Sequence, residues 1–148
     1  MNPKNLVLGA DHAGYETKEN IKKFLEKEFP DIKLTDVGTY SSDSVDYPDF
    51  AHHVAEKVIV ETSAMGILIC GSGNGVCITA NKHKGIRAAL CWTKELASLA
   101  RQHNNANVLC IPARFVSPET ATEMVEAFLK TEFEGGRHAK RADKIELK

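Results

Sequence analysis

Short apolar runs alternate with amphipathic stretches along the whole of this 148-residue sequence. The alternation is typical of a parallel sheet covered by helices on both faces, because parallel strands need long crossover connections that are usually helical. We therefore predict an α/β protein with a five-stranded parallel sheet. The length fits one domain over residues 1–148, and no repeat, linker or low-complexity stretch interrupts the pattern.

The predicted strands are the short apolar runs, and the predicted helices are the amphipathic stretches between them. The strands are expected at residues 6–8, 32–37, 66–69, 86–90 and 108–111. The helices are expected at residues 16–29, from Pro48 to near Thr62, in a short segment ending near Lys82, from a Thr93 cap to about Asn104, and after Ser117-Pro118. In the fourth helix, Leu96, Leu99, Ala100 and His103 recur at helical spacing. The segment from about residue 132 is predicted to be a polar, locally basic tail.

The composition excludes several classes of protein. A formal net charge of -1 with 43% hydrophobic and 26% charged residues fits neither a disordered chain nor a nucleic-acid-binding surface. The N-terminal apolar run is too short for a signal peptide or a membrane span, so we expect a cytoplasmic protein that binds small molecules. The four cysteines contain no C-x-x-C pair, so neither a zinc site nor a disulfide framework is favoured.

The third predicted strand runs into a cysteine and three alternating glycines, Cys70-Gly-Ser-Gly-Asn-Gly75. Ligands of open α/β sheets bind at the carboxyl ends of the strands, which is where Cys70 is expected. Glycines at 71, 73 and 75 allow main-chain N–H groups to face an anion at the start of a helix. Cys70 is then either a reactive thiolate or an ordinary buried cysteine, and the glycines favour the first interpretation. A tight structural turn remains the alternative for the loop.

The glycine loop does not match the common nucleotide-binding motifs. A dinucleotide fingerprint that starts at Gly71 would need a glycine at Val76, and one that starts at Gly73 would need it at Ile78. A P-loop would need Gly-Lys-Ser/Thr, whereas Val76 and Cys77 follow Gly75. Cys77, Cys91 and Cys110 lack comparable surroundings and are predicted to pack in the core.

Polar residues follow the first two predicted strands. Asp11 and His12 come directly after the first strand, where they can flank a site or serve only as a helix cap and an exposed ring. Tyr47 lies in the second connection, where it can offer a phenol to a ligand or simply pack. The pattern leaves both alternatives open.

The last third of the chain contains four further candidate site residues, one of its histidines and three of its arginines. His103, near the end of the fourth helix, is either a cation favoured by the helix dipole or a general acid or base. Arg137 and Arg141 are four residues apart and would share a helical face able to grip phosphate, unless they belong to a solvated tail. Arg114 follows the fifth strand and can join them. His52 and His53 are adjacent on a helix and make a poor metal pair, so no metal is predicted.

Seven spaced motifs occur in an order that resembles the type B ribose 5-phosphate isomerases and the related galactose 6-phosphate and allose 6-phosphate isomerases. The resemblance covers nearly the whole chain. Its motifs are Gly9-x-Asp11-His12-x-Gly14, Asp46-Tyr47-Pro48, Cys70-Gly-Ser-Gly-Asn-Gly75, Asn81-Lys82, Gly85-Ile-Arg87-Ala88, Arg101-Gln-His-Asn104 and Gly135-Gly-Arg-His138. It implies a Rossmann-like three-layer α/β/α sandwich and a homodimer, or a tetramer, with sites shared between subunits. It also implies that no metal or organic cofactor is needed.

The resemblance also implies a role for each site residue. Cys70 would move a proton between C1 and C2 of the open-chain sugar, and the main chain from Gly71 through Gly73 and Asn74 to Gly75 would hold the enediolate. Ser72 stands where threonine is common and would assist proton movement between the two oxygens. His103 and Asp11 would open the sugar ring, and Asn104 and Tyr47 would orient the sugar. The phosphate binders would be His12, Arg114, Arg137 and Arg141, some of them from the second subunit.

Two hypotheses of different classes follow. The first is an isomerase of ribose 5-phosphate and ribulose 5-phosphate, with a hexose 6-phosphate (allose or galactose) as the alternative substrate. The second is a noncatalytic nucleotide-binding module that uses the same glycine turn. Val76 and the missing Gly-Lys-Ser/Thr ending argue against the second hypothesis.

Overall fold

The computed structural model describes residues 2–148 and contains five strands and six helices within them. The strands are β1 (Asn5–Ala10), β2 (Lys33–Asp36), β3 (Ala64–Cys70), β4 (Ala88–Leu90) and β5 (Val108–Pro112). The helices are α1 (Tyr15–Glu28), α2 (Tyr47–Val60), α3 (Asn74–Ala80), α4 (Lys94–Asn104), α5 (Pro118–Lys130) and α6 (Arg137–Asp143). The predicted five-stranded α/β architecture is confirmed.

All strand pairs are parallel, and the sheet order is β2-β1-β3-β5-β4. From β1 the chain goes to β2 on one side and then to β3 on the other side. The loops after β1 and β3 therefore diverge at the carboxyl edge of the sheet, which is the topological switch point where such sheets bind ligands.

Two apolar layers cover the two faces of the sheet. Leu8, Ile69 and Ile111 point toward α1, α4 and α5, while Leu68 and Val108 point toward α2 and α3. The central strands are buried on both faces, which explains their continuous apolar runs. The three-layer arrangement predicted from the sequence is confirmed.

The helix starts agree with the predicted capping residues. Thr93 Oγ1 accepts the Leu96 N–H at 3.2 Å at the start of α4, and Ser117 Oγ accepts the Thr120 N–H at 3.1 Å at the start of α5. Pro48 lies in the first turn of α2, where its missing N–H costs nothing. Element bounds differ from those predicted by one or two residues at most ends.

Two features of the helices do not follow from the spacing of residues in the sequence. On α4 the buried residues are Ala97, Ala100 and Arg101, whereas Leu96 and Leu99 are 43% and 37% exposed. The segment after residue 132 is not only a polar tail, because it contains helix α6, which packs on α4. In both cases the contact that decides the structure comes from tertiary packing between α4, α5 and α6 rather than from local periodicity.

A buried ion cluster lies beside the carboxyl end of β2. The side chain of Lys18 is fully buried, and its Nζ lies 2.6 Å from Asp36 Oδ2 and 3.0 Å from Glu19 Oε2. Lys22, which is partly exposed, reaches the same Asp36 oxygen at 2.9 Å. Burial alone would raise the pKa of Asp36, but hydrogen bonds from Lys18, Lys22 and the Gly38 N–H outweigh it and lower that pKa.

None of the helices described for residues 2–148 combines the length and the apolar character needed to cross a membrane.

Candidate active site

A cavity of about 530 Å³ opens at the switch point between β1 and β3. Its volume is in the range of sites that bind small molecules. Phe115 forms part of its wall, and eight of the residues predicted from the sequence line it: Asp11, His12, Tyr47, Cys70, Gly71, Ser72, Gly75 and Arg114. The carboxyl ends of the strands therefore bring together side chains that are more than 100 residues apart in sequence.

Asp11 is held in place by the turn that follows β1. Its Oδ1 accepts the main-chain N–H groups of Ala13 and Gly14 at 3.0 and 3.1 Å. A Cβ at Gly14 would lie 2.5 Å from the Ile69 carbonyl oxygen, so only glycine lets this turn approach β3 so closely. One carboxylate oxygen thus holds the turn, but Asp11 is not the helix cap of the simpler interpretation, because Gly14 is the N-cap of α1 and no side chain caps that helix. Among residues 2–148 no side chain or N–H group is hydrogen-bonded to Oδ2, which is left for a ligand.

His12 has a defined tautomer when neutral. Its Nδ1 accepts the main-chain N–H of Val45 at 3.2 Å, which ties the ring to the loop before α2. Since Nδ1 is the acceptor, the proton of the neutral ring lies on Nε2. His12 therefore has an N–H donor available for a ligand oxygen in the cavity.

The glycine loop forms the start of α3. Gly73 caps this helix with φ +76°, a conformation that side chains disfavour, and the Ser72 Oγ accepts the Asn74 N–H at 3.3 Å. A Cβ at Gly75 would lie 2.4 Å from the ring of Tyr47, so this glycine makes room for the tyrosine. Gly73 and Asn74 shape the loop but do not line the cavity.

Cys70 ends β3, lines the cavity and is 5% exposed. The side chain of Arg114 lies over Gly71, with its Nη1 3.2 Å from the place of a Cβ there. The main chain keeps this arrangement, because the Arg114 N–H donates to the Gly71 carbonyl at 3.0 Å. A guanidinium and a thiol therefore line one cavity.

The other cysteines have different surroundings. Cys91 and Cys110 are buried, and burial raises the pKa of Cys91 to about 12 and that of Cys110 well above its ordinary value. Cys77 is half-buried, and its thiol donates to the Ala88 carbonyl at 3.4 Å. The structure places none of these three at the cavity. The prediction that Cys91 and Cys110 are core residues is confirmed.

The structure does not bring His103 and Asn104 to this cavity. Helix α4 begins after β4 at the carboxyl edge of the sheet and ends before β5 at the amino edge. Its 11 residues span about 16 Å, so its last turn lies far from Cys70 in the same chain. Asn104 instead lines a second cavity, of about 450 Å³, with Arg87.

Arg137 and Arg141 also lie away from the first cavity, on α6. The segment before α6 is tied to α4 by a hydrogen bond from the Glu134 N–H to the Gln102 carbonyl at 3.1 Å. The two arginines therefore lie on a helix that is attached to α4, the helix that carries His103. Arg137 and Arg141 lie on a helix, as the phosphate-binding interpretation requires.

His103, Glu134 and His138 form a cluster in which a metal ion could be sought, since their ligand atoms lie within 4.8 Å of one another. The rings of His103 and His138 are stacked, however, with centroids 4.2 Å apart and planes 10° from parallel. Imidazole lone pairs lie in the ring plane, so one ion cannot lie in both planes. Burial and then the charges of His103 and Arg137 lower the pKa of His138, which favours a neutral stacked ring.

Residues without a predicted role also contribute to the site. Val45 orients His12, and Phe115 forms part of the cavity wall. Arg101 and His138 support the end of α4. In the sequence they stand out only as members of motifs. Phe115 could have been found by its position directly after Arg114. The Val45 contact comes from a loop 33 residues away and leaves no signal in the sequence.

Comparison with known proteins gives one consistent family. The profile described as Ribose/Galactose Isomerase matches residues 6–145. Ribose-5-phosphate isomerase B of Escherichia coli is 42% identical over 142 residues, which cover 96% of this chain and 94% of the relative. The structure of ribose 5-phosphate isomerase B from Anaplasma phagocytophilum has a TM-score of 0.92 and 43% identity, and the match covers 99% of each chain. A Mycoplasma genitalium ribose-5-phosphate isomerase B with bound ribulose-5-phosphate has a TM-score of 0.90 and 47% identity, covering 95% of this chain and 93% of that one.

Proposed function

The chain belongs to the ribose/galactose isomerase family, and on that premise we propose that it interconverts ribose 5-phosphate and ribulose 5-phosphate. The observation that carries the proposal is the meeting of the Cys70 thiol, the Asp11 carboxylate, the His12 imidazole and the Arg114 guanidinium in one cavity at the switch point. These groups supply a base, a second proton acceptor and two partners for a phosphate. The relative with bound ribulose-5-phosphate supports this substrate.

In the proposed reaction Cys70 is the base. Its thiolate removes the proton from C2 of the open-chain aldose, and the electron pair moves to form an enediolate. The proton on O2 passes to O1 with the help of Ser72, and the Cys70 thiol then protonates C1 to give the ketose. Main-chain N–H groups between Gly71 and Gly75 offset the charge on the enediolate oxygen, a contribution that is often the largest in such reactions.

The sugar is bound by groups around this base. His12 donates from Nε2 to the phosphate, and Arg114 binds it as a charged fork. Tyr47 orients the sugar against Gly75. The free oxygen of Asp11 accepts a hydroxyl proton when the furanose ring opens. These steps are proton transfers only and need no redox cofactor.

The remaining groups come, in our proposal, from a second copy of the chain. His103 would protonate the ring oxygen, Asn104 would orient the sugar, and Arg137 and Arg141 would complete the phosphate site. Their position at the amino edge supports this arrangement, because one chain cannot bring both edges of its own sheet together. The assembly is a homodimer, with a tetramer as the larger alternative. The enzyme works in the cytoplasm.

The substrate is tested by assaying ribose 5-phosphate, allose 6-phosphate and galactose 6-phosphate in parallel. We expect the highest kcat/KM with ribose 5-phosphate. A higher kcat/KM with either hexose phosphate would replace the pentose assignment by the hexose one. Absence of turnover with all three sugars, together with a thermal shift by ATP or NAD, would favour the nucleotide-binding alternative.

The base is tested by replacing Cys70 with alanine. Turnover should fall about 10²-fold to 10⁴-fold because the general base is missing. Binding of ribulose 5-phosphate, measured by calorimetry, should change little. Near-normal turnover would assign the proton transfer to another group.

His103→Asn is the matched comparison for Cys70→Ala. Ribulose 5-phosphate cannot close a furanose ring, because its C5 oxygen carries the phosphate, so it reaches the base without ring opening. His103→Asn should lose isomerisation of ribose 5-phosphate but still exchange the C1 protons of ribulose 5-phosphate in D₂O. Cys70→Ala should lose both reactions. The two readouts, followed by NMR, separate ring opening from proton transfer.

A further inference from the structure

Arg101 is a buried charged residue that the reaction described above does not use. It lies in the last turn of α4 and is 8% exposed. Burial, and then the nearby charge of Arg87, lower its pKa from the ordinary value, so keeping a cation here is costly. A buried guanidinium is retained where its several donors satisfy fixed acceptors.

One side of the guanidinium holds the turn that ends α4. Nη1 donates to Asn105 Oδ1 at 3.0 Å and to the Ala106 carbonyl at 2.6 Å. Asn105 has φ +48°, the left-handed conformation that terminates the helix. Since His103 and Asn104 directly precede this turn, their positions depend on it.

The other side of the guanidinium holds the segment that leads to α6. Nε donates to the Thr131 carbonyl at 3.3 Å, at the end of α5. From there the chain passes Glu134, whose N–H bonds to Gln102, and enters α6 with Arg137 and Arg141. The stacking of His138 on His103 is a further link between α6 and α4. Arg101 therefore bridges both parts of the group that we assign to the neighbouring subunit's site.

We infer that Arg101 is a positioning residue that fixes the His103 turn and the Arg137–Arg141 helix in one geometry. The inference rests on the proposed function. His103 is proposed to transfer a proton to the sugar ring, and Arg137 and Arg141 are proposed to bind the phosphate. These side chains must be held at a fixed separation for one substrate to reach both. Arginine suits this role because its rigid fork reaches acceptors on two sides, whereas lysine is a point donor.

The test compares Arg101→Lys with the wild-type dimer in two assays. Misplacement of both groups should lower kcat for ribose 5-phosphate about tenfold and weaken the binding of inorganic phosphate, measured by calorimetry, about tenfold. Phosphate binding does not require turnover. An inactive wild type would therefore reject the proposed function, while an active wild type with an unaffected variant would reject the role of Arg101.

Arg87→Lys is the matched control. The Nε of Arg87 donates to the Asn105 carbonyl at 2.8 Å, so this arginine holds the same turn, but it makes no hydrogen bond to Thr131. The control should lower kcat while leaving phosphate affinity within about twofold, because α6 is still held by Arg101. An equal loss of phosphate affinity in both variants would contradict the bridging role.

Asn105→Gly keeps the experiment decisive where Arg101→Lys fails to fold. Glycine tolerates the left-handed conformation, so the turn persists while Arg101 loses the Oδ1 acceptor. This variant should lower kcat about threefold or more and leave phosphate affinity unchanged. A lower unfolding midpoint with an unchanged kcat in Asn105→Gly would mean that Arg101 only stabilises the fold.

Discussion

At the scale of single residues, the contact between Tyr47 and Gly75 shows how the site is shaped. Tyr47 is 41% exposed and lies against a position where any Cβ would overlap its ring at 2.4 Å. The glycine therefore determines where the phenol lies. The same loop serves the proposed enediolate and the proposed sugar-binding tyrosine.

Gly75→Ala should displace the Tyr47 ring and raise the KM for ribose 5-phosphate about tenfold, as expected when an orienting group is misplaced. The melting temperature should change little, because the displaced side chain is partly exposed. A double-mutant cycle with Tyr47→Ala checks the cause. The KM effect of Gly75→Ala should largely disappear once the ring is removed, and additive effects would assign the change to the loop itself.

Individual residues differ in how well the sequence predicts their place. The positions of Asp11, His12 and Cys70 follow from their places after predicted strands, because the carboxyl ends of parallel strands share one edge. The contact of Val45 with His12 depends on the path of a loop and could not be predicted. To predict that His103 lies away from the cavity, one would need to know which edge of the sheet α4 reaches.

At the scale of elements, the cluster of Lys18, Asp36 and Lys22 joins α1 to β2. Lys18 has no exposed surface, and its Nζ contacts the carboxylates of Asp36 and Glu19. Removing one member of a buried pair leaves an uncompensated charge, which costs several kcal/mol. The Gly38 N–H donates to Asp36 Oδ1 at 2.9 Å, so the cluster also anchors the loop after β2.

Asp36→Asn should lower the free energy of unfolding by about 3 kcal/mol at pH 7, as measured by urea denaturation. The folded state lowers the pKa of Asp36 below its unfolded value near 4, so the contribution is present above about pH 4 and is lost as the pH falls through the folded pKa. The difference between wild type and variant should therefore shrink at acidic pH.

Lys22→Gln is the control for this cluster. Lys22 contacts the same carboxylate oxygen but is 27% exposed, so its removal should cost about 1 kcal/mol or less. A cost as large as that of Asp36→Asn would show that burial of Lys18 is not what makes the cluster important.

Helices of this protein were predicted well where their ends carry capping residues and less well where packing decides. Thr93 and Ser117 cap helices as expected. Helical spacing in α4 does not tell which side is buried, because small residues, Ala97 and Ala100, pack against α5 while two leucines stay exposed. The sequence leaves open whether Arg137 and Arg141 lie on a helix or in a solvated tail, and the structure shows a helix, α6, which packs on α4.

At the scale of the whole molecule, the proposed catalytic groups lie at opposite edges of one sheet. Cys70, Asp11 and His12 are at the carboxyl edge, and His103 is at the amino edge. The sequence predicts five parallel strands but not the order β2-β1-β3-β5-β4, because strand order depends on long-range pairing. The resemblance alone predicts shared sites, and the strand order supports that proposal by separating the two sets of residues.

Mixing two inactive variants tests the shared site. In a heterodimer of Cys70→Ala and His103→Asn subunits, one site combines both wild-type groups and the other combines both substitutions. Random exchange makes half of the dimers mixed, so activity should recover to about a quarter of the wild-type value. Lack of recovery, with subunit exchange verified by native mass spectrometry, would place both groups in one chain.

The proposed role of His103 also links catalysis to the amount of enzyme present. In the proposed shared site, a lone chain would hold a base without the acid that opens its substrate's ring, so dissociation of subunits would remove activity even when every chain stays folded. Specific activity should then fall on dilution below the dissociation constant and recover on reconcentration. In a cell, doubling a scarce enzyme would more than double its flux.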